Sequence, residues 1–247
     1  MINCASVTKT YAKELGVAAH TALCDFSFTV AKGETVGLIG ANGAGKSTAI
    51  KLLMDFIRPD SGAIKIMGTE PGTSAIRAAI GYLPETANFP SNLTVLDMLR
   101  FSGSACGMER GQVRSGSEKW LRRLALWESR KRPLRNYSKG MQQRANFAIA
   151  LLGDPELLIL DEPMSGLDPI GRADIIELIQ ELQEAGRTIL FCSHILEDVD
   201  RLVDRVVVLH KGQKIFDGKP DMLAAGQGQE SFVEGYLTLV RQEEQGV

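Results

Sequence analysis

Short runs of consecutive apolar residues punctuate this chain, each ending where polar residues begin. TVGLIG (35–40) closes on glycine, and ELLILDEP (156–163) and RTILFCSH (187–194) share its form, with polar residues arriving at the carboxyl end. Runs of this length and composition read as strands buried on both faces. RVVVLHKGQKIFDG (205–218) reads as two strands joined by a turn at Lys211 and Gly212. Between them, STAIKLLMDF (47–56), ADIIELIQELQEAG (173–186) and HILEDVDRLV (194–203) space their apolar residues at helical intervals. Strands alternating with helices predict a mostly parallel sheet covered on both faces. Ligands of such sheets bind beyond the carboxyl ends of the strands, where the polar residues of this chain collect.

The pattern changes twice. INCASVTKTY (2–11) and ALCDFSFTV (22–30) alternate apolar and polar residues as half-buried antiparallel strands do, and GAIKIMG (62–68) joins them. From about residue 88 to 152 the strand signals vanish. VLDMLRFSGSACG, EKWLRRLALWE and MQQRANFAIALLG read as helices, and the Gly/Ser-rich GMERGQVRSGS (107–117) between them reads as an exposed loop. The expected layout is an α/β core over 1–87 and 153–220, a helical lobe inserted at 88–152, and a C-terminal extension at 221–247. In that extension SFVEGYLTLV is amphipathic and should pack back before the polar end frays. No internal repeat is apparent.

With 247 residues, 44% of them hydrophobic, the chain can build one sizeable core. A net charge of −2 gives no global basic field, and no nucleic-acid partner is expected. Basic residues crowd 122–144, where Glu128 is the one acid, and a solvated helix face accounts for most of them. Cys4, Cys24, Cys106 and Cys192 are scattered, which reads as reduced thiols and not as a disulfide framework or zinc site. MINCASVTKTYAKE lacks the apolar core of a signal peptide, and no apolar run approaches the ~20 residues that span a bilayer. Work at a membrane would need another chain to bring this one there.

GANGAGKST (40–48) follows a predicted strand and opens a predicted helix, the context that confirms a P-loop. Gly40, Gly43 and Gly45, with Ala41, Asn42 and Ala44 between them, let the backbone wrap a phosphate with N–H groups pointing inward. The helix beginning near Lys46 adds its positive dipole end. Lys46 should reach the terminal phosphates of a nucleoside triphosphate and the Ser47 hydroxyl should bind magnesium, with Thr48 completing the motif. In LLILDEP, Asp161 closes a strand expected beside the P-loop strand and can hold the magnesium shell. Glu162, next in the chain, is placed to orient or deprotonate an attacking water. His194 emerges at the carboxyl end of the following strand, where a γ-phosphate would lie. YSKGMQQR (137–144) stays open at this point: an ordinary capped helix start, or half of a nucleotide site that a second molecule completes.

In their order along nearly the whole chain, these segments resemble the nucleotide-binding subunits of ABC transporters. GANGAGKST matches that family's Walker A segment and LLILDE its Walker B segment. Tyr11, in VTKTY, resembles the aromatic that stacks on adenine; SGLD (165–168) resembles the D-loop that crosses a dimer interface; His194 resembles the switch histidine. YSKGM falls at the signature, usually LSGGQ, with Tyr137 for leucine, Lys139 for the first glycine and Met141 for glutamine. YLPE (82–85) carries Glu85 where the family usually has a glutamine that meets magnesium. YLPE and YSKGM together resemble exporter-type subunits.

The resemblance implies a P-loop NTPase (RecA-like) core with an N-terminal antiparallel β subdomain and an inserted α-helical subdomain. It implies ATP and Mg2+ as cofactors, with Glu85 joining Ser47 and Asp161 at the metal. Two subunits pack head to tail in that family, so Ser138 and Gly140 should touch ATP held by the P-loop of a second copy. The implied activity is ATP hydrolysis powering export through a separate transmembrane permease subunit. The chain would then sit peripherally at the cytoplasmic face of a membrane and be soluble when isolated. The competing expectation is a soluble ABC-type ATPase in cofactor assembly, DNA repair or translation. Repair relatives need long coiled coils and translation relatives two cassettes, and this chain shows neither, which leaves cofactor assembly. A P-loop kinase is a weaker option, because no phosphoacceptor site is visible.

Overall fold

The computed structural model describes residues 1–12, 19–86 and 88–245. The predicted boundary at 87, the chain end at 247 and the last two residues of the MINCASVTKTYAKE segment lie outside them. In chain order the first elements are β1 (Ile2–Tyr11), β2 (His20–Val30), β3 (Thr35–Ile39), α1 (Lys46–Leu53), β4 (Ser61–Ile66), α2 (Ser74–Ala79) and β5 (Ile80–Leu83). Then follow α3 (Val95–Ala105), α4 (Arg110–Arg123), a 3-10 turn (Leu134–Asn136), α5 (Lys139–Leu151), β6 (Leu157–Asp161) and α6 (Pro169–Glu184). The last are β7 (Thr188–Cys192), α7 (Leu196–Leu202), β8 (Arg205–His210), β9 (Gln213–Gly218), α8 (Pro220–Gly226) and α9 (Phe232–Gln245). The chain divides into two compact units, Met1–Gly72 with the chain from Thr188 onward, and Thr73–Arg187.

In the first unit, β2-β1-β4 form an antiparallel sheet in which Cys4 lies opposite both Phe28 and Ile64. The alternating pattern of β1 and β2 fits one covered face and one wet face. The parallel strands run β7-β3-β8, with β9 added antiparallel. Every residue of β3 and β7 is buried, as continuous apolar runs require when both faces are covered. The β8–β9 turn has positive φ at both Lys211 (46°) and Gly212 (82°), the backbone that matches the twist of a tight hairpin. Phe232, Gly235, Tyr236 and Leu239 form the buried stripe of α9. That helix continues to Gln245, so the polar end expected to fray is helical: the amphipathic stripe carries it against α8 and α7.

In the second unit β5 and β6 pair in parallel, with Leu83 opposite Leu160. Helix α5 packs on β5 so closely that a Cβ on Gly81 would stand 2.5 Å from the Ala150 carbonyl oxygen. The predicted loop at 107–117 is largely wrong. From Arg110 the chain is helical, started by a reciprocal capping box between Glu109 and Gln112. Val113, Ser117, Trp120 and Leu121 are its buried face, a helical spacing disguised by a serine at one core position. The helix stops at Arg123, before the predicted end, where Ala125 turns the chain with φ 54°. At six and four residues, α2 and β5 are too short for a periodic pattern to announce them. Helix α1 likewise ends before its predicted limit, turned by Asp55 at φ 55°.

Candidate functional site

The first unit holds the phosphate cradle. Buried strand β3 delivers the chain into the loop 40–45, and α1 begins at Lys46. A Cβ on Gly40 would lie 2.3 Å from the Leu209 carbonyl oxygen, so the loop runs against the β8 backbone. Gly45 has φ 114°, a conformation that L side chains rarely adopt, and its missing Cβ faces the Ala22 carbonyl oxygen at 2.6 Å. Gly212 N donates to Ala44 O at 2.9 Å, bracing the loop from the β8–β9 turn. No side chain caps α1 and its first turn holds no acid, so its N–H groups point outward with the positive dipole end. Lys46 is 9% exposed and its Nζ donates to Gly40 O at 2.6 Å and Ala41 O at 3.2 Å. Ala41, Asn42, Gly43 and Ser47 are exposed, while Thr48 is buried with its Oγ1 3.5 Å from Tyr11 Oη. A glycine-lined loop, an uncapped helix start, a lysine and an accessible hydroxyl fit a nucleoside triphosphate with its magnesium. His194 is exposed two residues beyond β7, the parallel neighbour of β3, so it and the loop leave adjacent strands at the same end.

The second unit holds the carboxylates and the signature. Asp161, 9% exposed, is the last residue of β6, and Glu162 follows with φ 48°. A left-handed non-glycine residue costs on the order of 1 kcal/mol or more and persists only where its surroundings fix it. Here Ser165 N donates to Glu162 O at 3.0 Å, and the buried Gln143 Nε2 donates to Pro163 O at 2.9 Å and, more weakly, Glu162 O at 3.5 Å. Glu85 is exposed beyond β5, the parallel neighbour of β6. The backbone before it is held by Asn146 Nδ2, which donates to Pro84 O at 3.1 Å. Asp168 of the SGLD segment caps α6, accepting from Gly171 N at 2.9 Å.

Ser138 is the N-cap of α5, its Oγ accepting from Met141 N at 3.2 Å, so the capped-helix reading of YSKGMQQR holds as local structure. The hydroxyl proton remains able to donate, and Ser138 and Lys139 are exposed. A Cβ on Gly140 would meet only Leu167 Cδ2 at 3.6 Å and Gly166 O at 3.7 Å, ordinary contact distances. Packing within the chain does not demand glycine there. Tyr137 is buried and its hydroxyl donates to Ser129 O at 2.9 Å, an anchor that leucine could not make. Burial pushes the Tyr137 phenol above its ordinary range, against the opposing pull of Arg132. Gln143 and Asn146 were not singled out from the sequence: amides within an apolar helical run carry no signal of which distant carbonyls they will meet.

The fold and the loop define a P-loop nucleotide-binding protein. The family model described as ABC transporter matches residues 23–165, and the chain belongs to that family. It is 34% identical over 236 residues to the linearmycin resistance ATP-binding protein of Bacillus subtilis, covering 95% of this chain and 74% of that one. A solved ATP-binding subunit of an ABC transporter superposes with a TM-score of 0.87 at 33% identity, covering 96% of this chain and 98% of the other. A dimeric post-hydrolysis structure of an ATP-binding cassette bound to ADP and Pi gives a TM-score of 0.80 at 25% identity, covering 89% and 98%. Other curated relatives are longer: the chain spans 60% and 61% of the length of two of them, ABC transporter ATP-binding proteins of Synechocystis and Nostoc.

Proposed function

We propose that this chain is the ATP-hydrolysing subunit of an exporter, working as a dimer that drives a separate transmembrane subunit from the cytoplasmic face of the membrane. The observation that carries the reading is the cradle at α1, where Gly45, Lys46 and the uncapped first turn together suit a triphosphate. Magnesium, when bound, neutralises phosphate charge; Ser47 and Asp161 are the residues to hold it, with Glu85 as a further ligand. Lys46 and the loop N–H groups bind and orient the terminal phosphates. Glu162 orients the attacking water and accepts its proton, and His194 positions the γ-phosphate. Tyr11 offers its ring to adenine.

Support for the dimer comes from Gly140, which the chain's own packing does not need, beside the exposed Ser138 at the start of α5. The dimeric state named for the related cassette points the same way. Support for export comes from the Nod factor export ATP-binding protein I of Rhizobium meliloti, 38% identical over 224 residues that cover 90% of this chain and 65% of that one. Among the described residues no helix is long and apolar enough to cross a membrane; in this reading a separate transmembrane subunit forms the pathway. Glu162→Gln should lower ATP turnover by about 10²–10⁴-fold while ATP binding persists. Unchanged turnover would overturn the catalytic assignment. Copurification with a multi-span membrane protein separates transport from a role in cofactor assembly.

A further inference from the structure

Two buried amides on α5 hold the two carboxylate-bearing loops of the second unit. Gln143 and Asn146 are 4% and 5% exposed and stand three residues apart, on one face of the helix. Gln143 donates to the carbonyls of Pro163 and Glu162, and Asn146 donates to that of Pro84. Each held peptide thus lies at or beside a candidate carboxylate, Glu162 or Glu85. The loops leave the adjacent parallel strands β6 and β5 at the same end. Neither proline can supply an N–H of its own to tie its loop, and the side-chain amides take up the carbonyls instead. At the exposed start of the same helix lie Ser138 and Gly140.

We propose that α5 is a coupling bar, through which displacement of the Ser138 end by a second subunit repositions the Glu162 turn via Gln143 and the Glu85 loop via Asn146. Both amides are positioning residues, and the proposal rests on the reading that the chain dimerises on ATP and hydrolyses it at Glu162. The left-handed backbone of Glu162 makes its turn the more sensitive of the two: the Gln143 donor and Ser165 N both hold it there, and loss of Gln143 removes part of that support.

Hydrogen–deuterium exchange on the full chain, with Glu162→Gln to trap the ATP state, tests the coupling directly. ATP-driven dimerisation should slow exchange in segments 82–86 and 161–166. Gln143→Leu should abolish the slowing at 161–166 alone, and Asn146→Leu at 82–86 alone, with dimers still formed. Equal slowing in both variants would overturn the proposal. In the hydrolysing background, Gln143→Leu should lower kcat by about 10-fold or more, as a misplaced catalytic group does, with KM and binding of a fluorescent ATP analogue within about twofold. Phe147→Leu, a buried change on α5 at a side chain with no atom to donate to either loop carbonyl, is the control. If it lowers kcat equally at the same loss of melting temperature, the amides are only structural and the proposal is wrong. A parent chain that neither hydrolyses ATP nor dimerises on it would overturn the functional reading itself, and the coupling with it.

Discussion

At position 45 a methyl group would stand 2.6 Å from the Ala22 carbonyl oxygen and 2.8 Å from Leu23 Cδ2, on a backbone with φ 114°. At position 140 the same group would find only ordinary contacts, in a helical conformation. Gly45→Ala is therefore expected to cost about 2 kcal/mol or more in urea unfolding and to weaken binding of a fluorescent ATP analogue at least ~10-fold. Gly140→Ala should melt within ~2 °C of the parent and bind the analogue normally, yet form fewer ATP-dependent dimers by light scattering. A parent-like dimer yield would remove Gly140 from the interface. The sequence pattern reached both glycines by motif, but it could not tell the one required by the fold from the one that the fold leaves free. Gln143 and Asn146 lay beyond it for a related reason. Their partners are backbone carbonyls far along the chain, and a carbonyl has the same chemistry at every residue.

Among elements, Arg205 at the start of β8 ties three others together. It donates to Glu34 just before β3 at 2.7 Å, to Thr29 O on β2 at 2.6 Å, and to Asp217 on β9. Burial opposes ionisation of Glu34, but the hydrogen bonds from Arg205 and Ala31 N prevail and hold its carboxyl below the ordinary range. A lowered folded-state pKa means that this stabilisation is fully present above the unfolded-state value and is lost as pH falls through the folded one. Arg205→Met should cost about 2 kcal/mol at neutral pH, the scale of a lost charge-assisted hydrogen bond. Its unfolding free energy should also fall less steeply than the parent's as pH drops below ~4.5, the ordinary carboxylate value. Parallel slopes for the two proteins would show that Glu34 titrates without its arginine. Of the strands meeting here, β3 and β8 were legible as continuous apolar runs because both faces are covered, and β2 by its alternation of apolar and polar residues. Helix α4 was not, since Gly111, Ser115, Gly116 and Ser117 look like loop residues. Packing decides otherwise: a Cβ on Gly116 would lie 3.1 Å from the Leu152 carbonyl oxygen, so small residues mark a close approach.

For the whole molecule, the functional reading needs a second copy, since Ser138 and Gly140 are assigned to nucleotide held elsewhere. Turnover per chain should rise with protein concentration where dimers are scarce and level off where they predominate. Turnover independent of concentration across the monomer range would leave the signature without its role. The order of motifs made the fold class legible before any coordinate, because each phosphate-binding or carboxylate element announces itself within a few residues. Division of the chain at Gly72 and Arg187 was not legible in the same way, as it follows from long-range contacts that no local pattern encodes.

In the proposed coupling, the close approach of Gly81 to the Ala150 carbonyl oxygen would serve a tilting α5 as a fulcrum near its C-terminal end. At 1.5 Å per residue, Ser138 lies roughly 18 Å from that pivot, Gln143 about 10 Å and Asn146 about 6 Å. A tilt that carries the Ser138 end by ~2 Å then moves Gln143 by about 1 Å and Asn146 by about 0.7 Å. Lever arms of these lengths put the larger stroke on the turn that holds Glu162 and the smaller on the loop that holds Glu85.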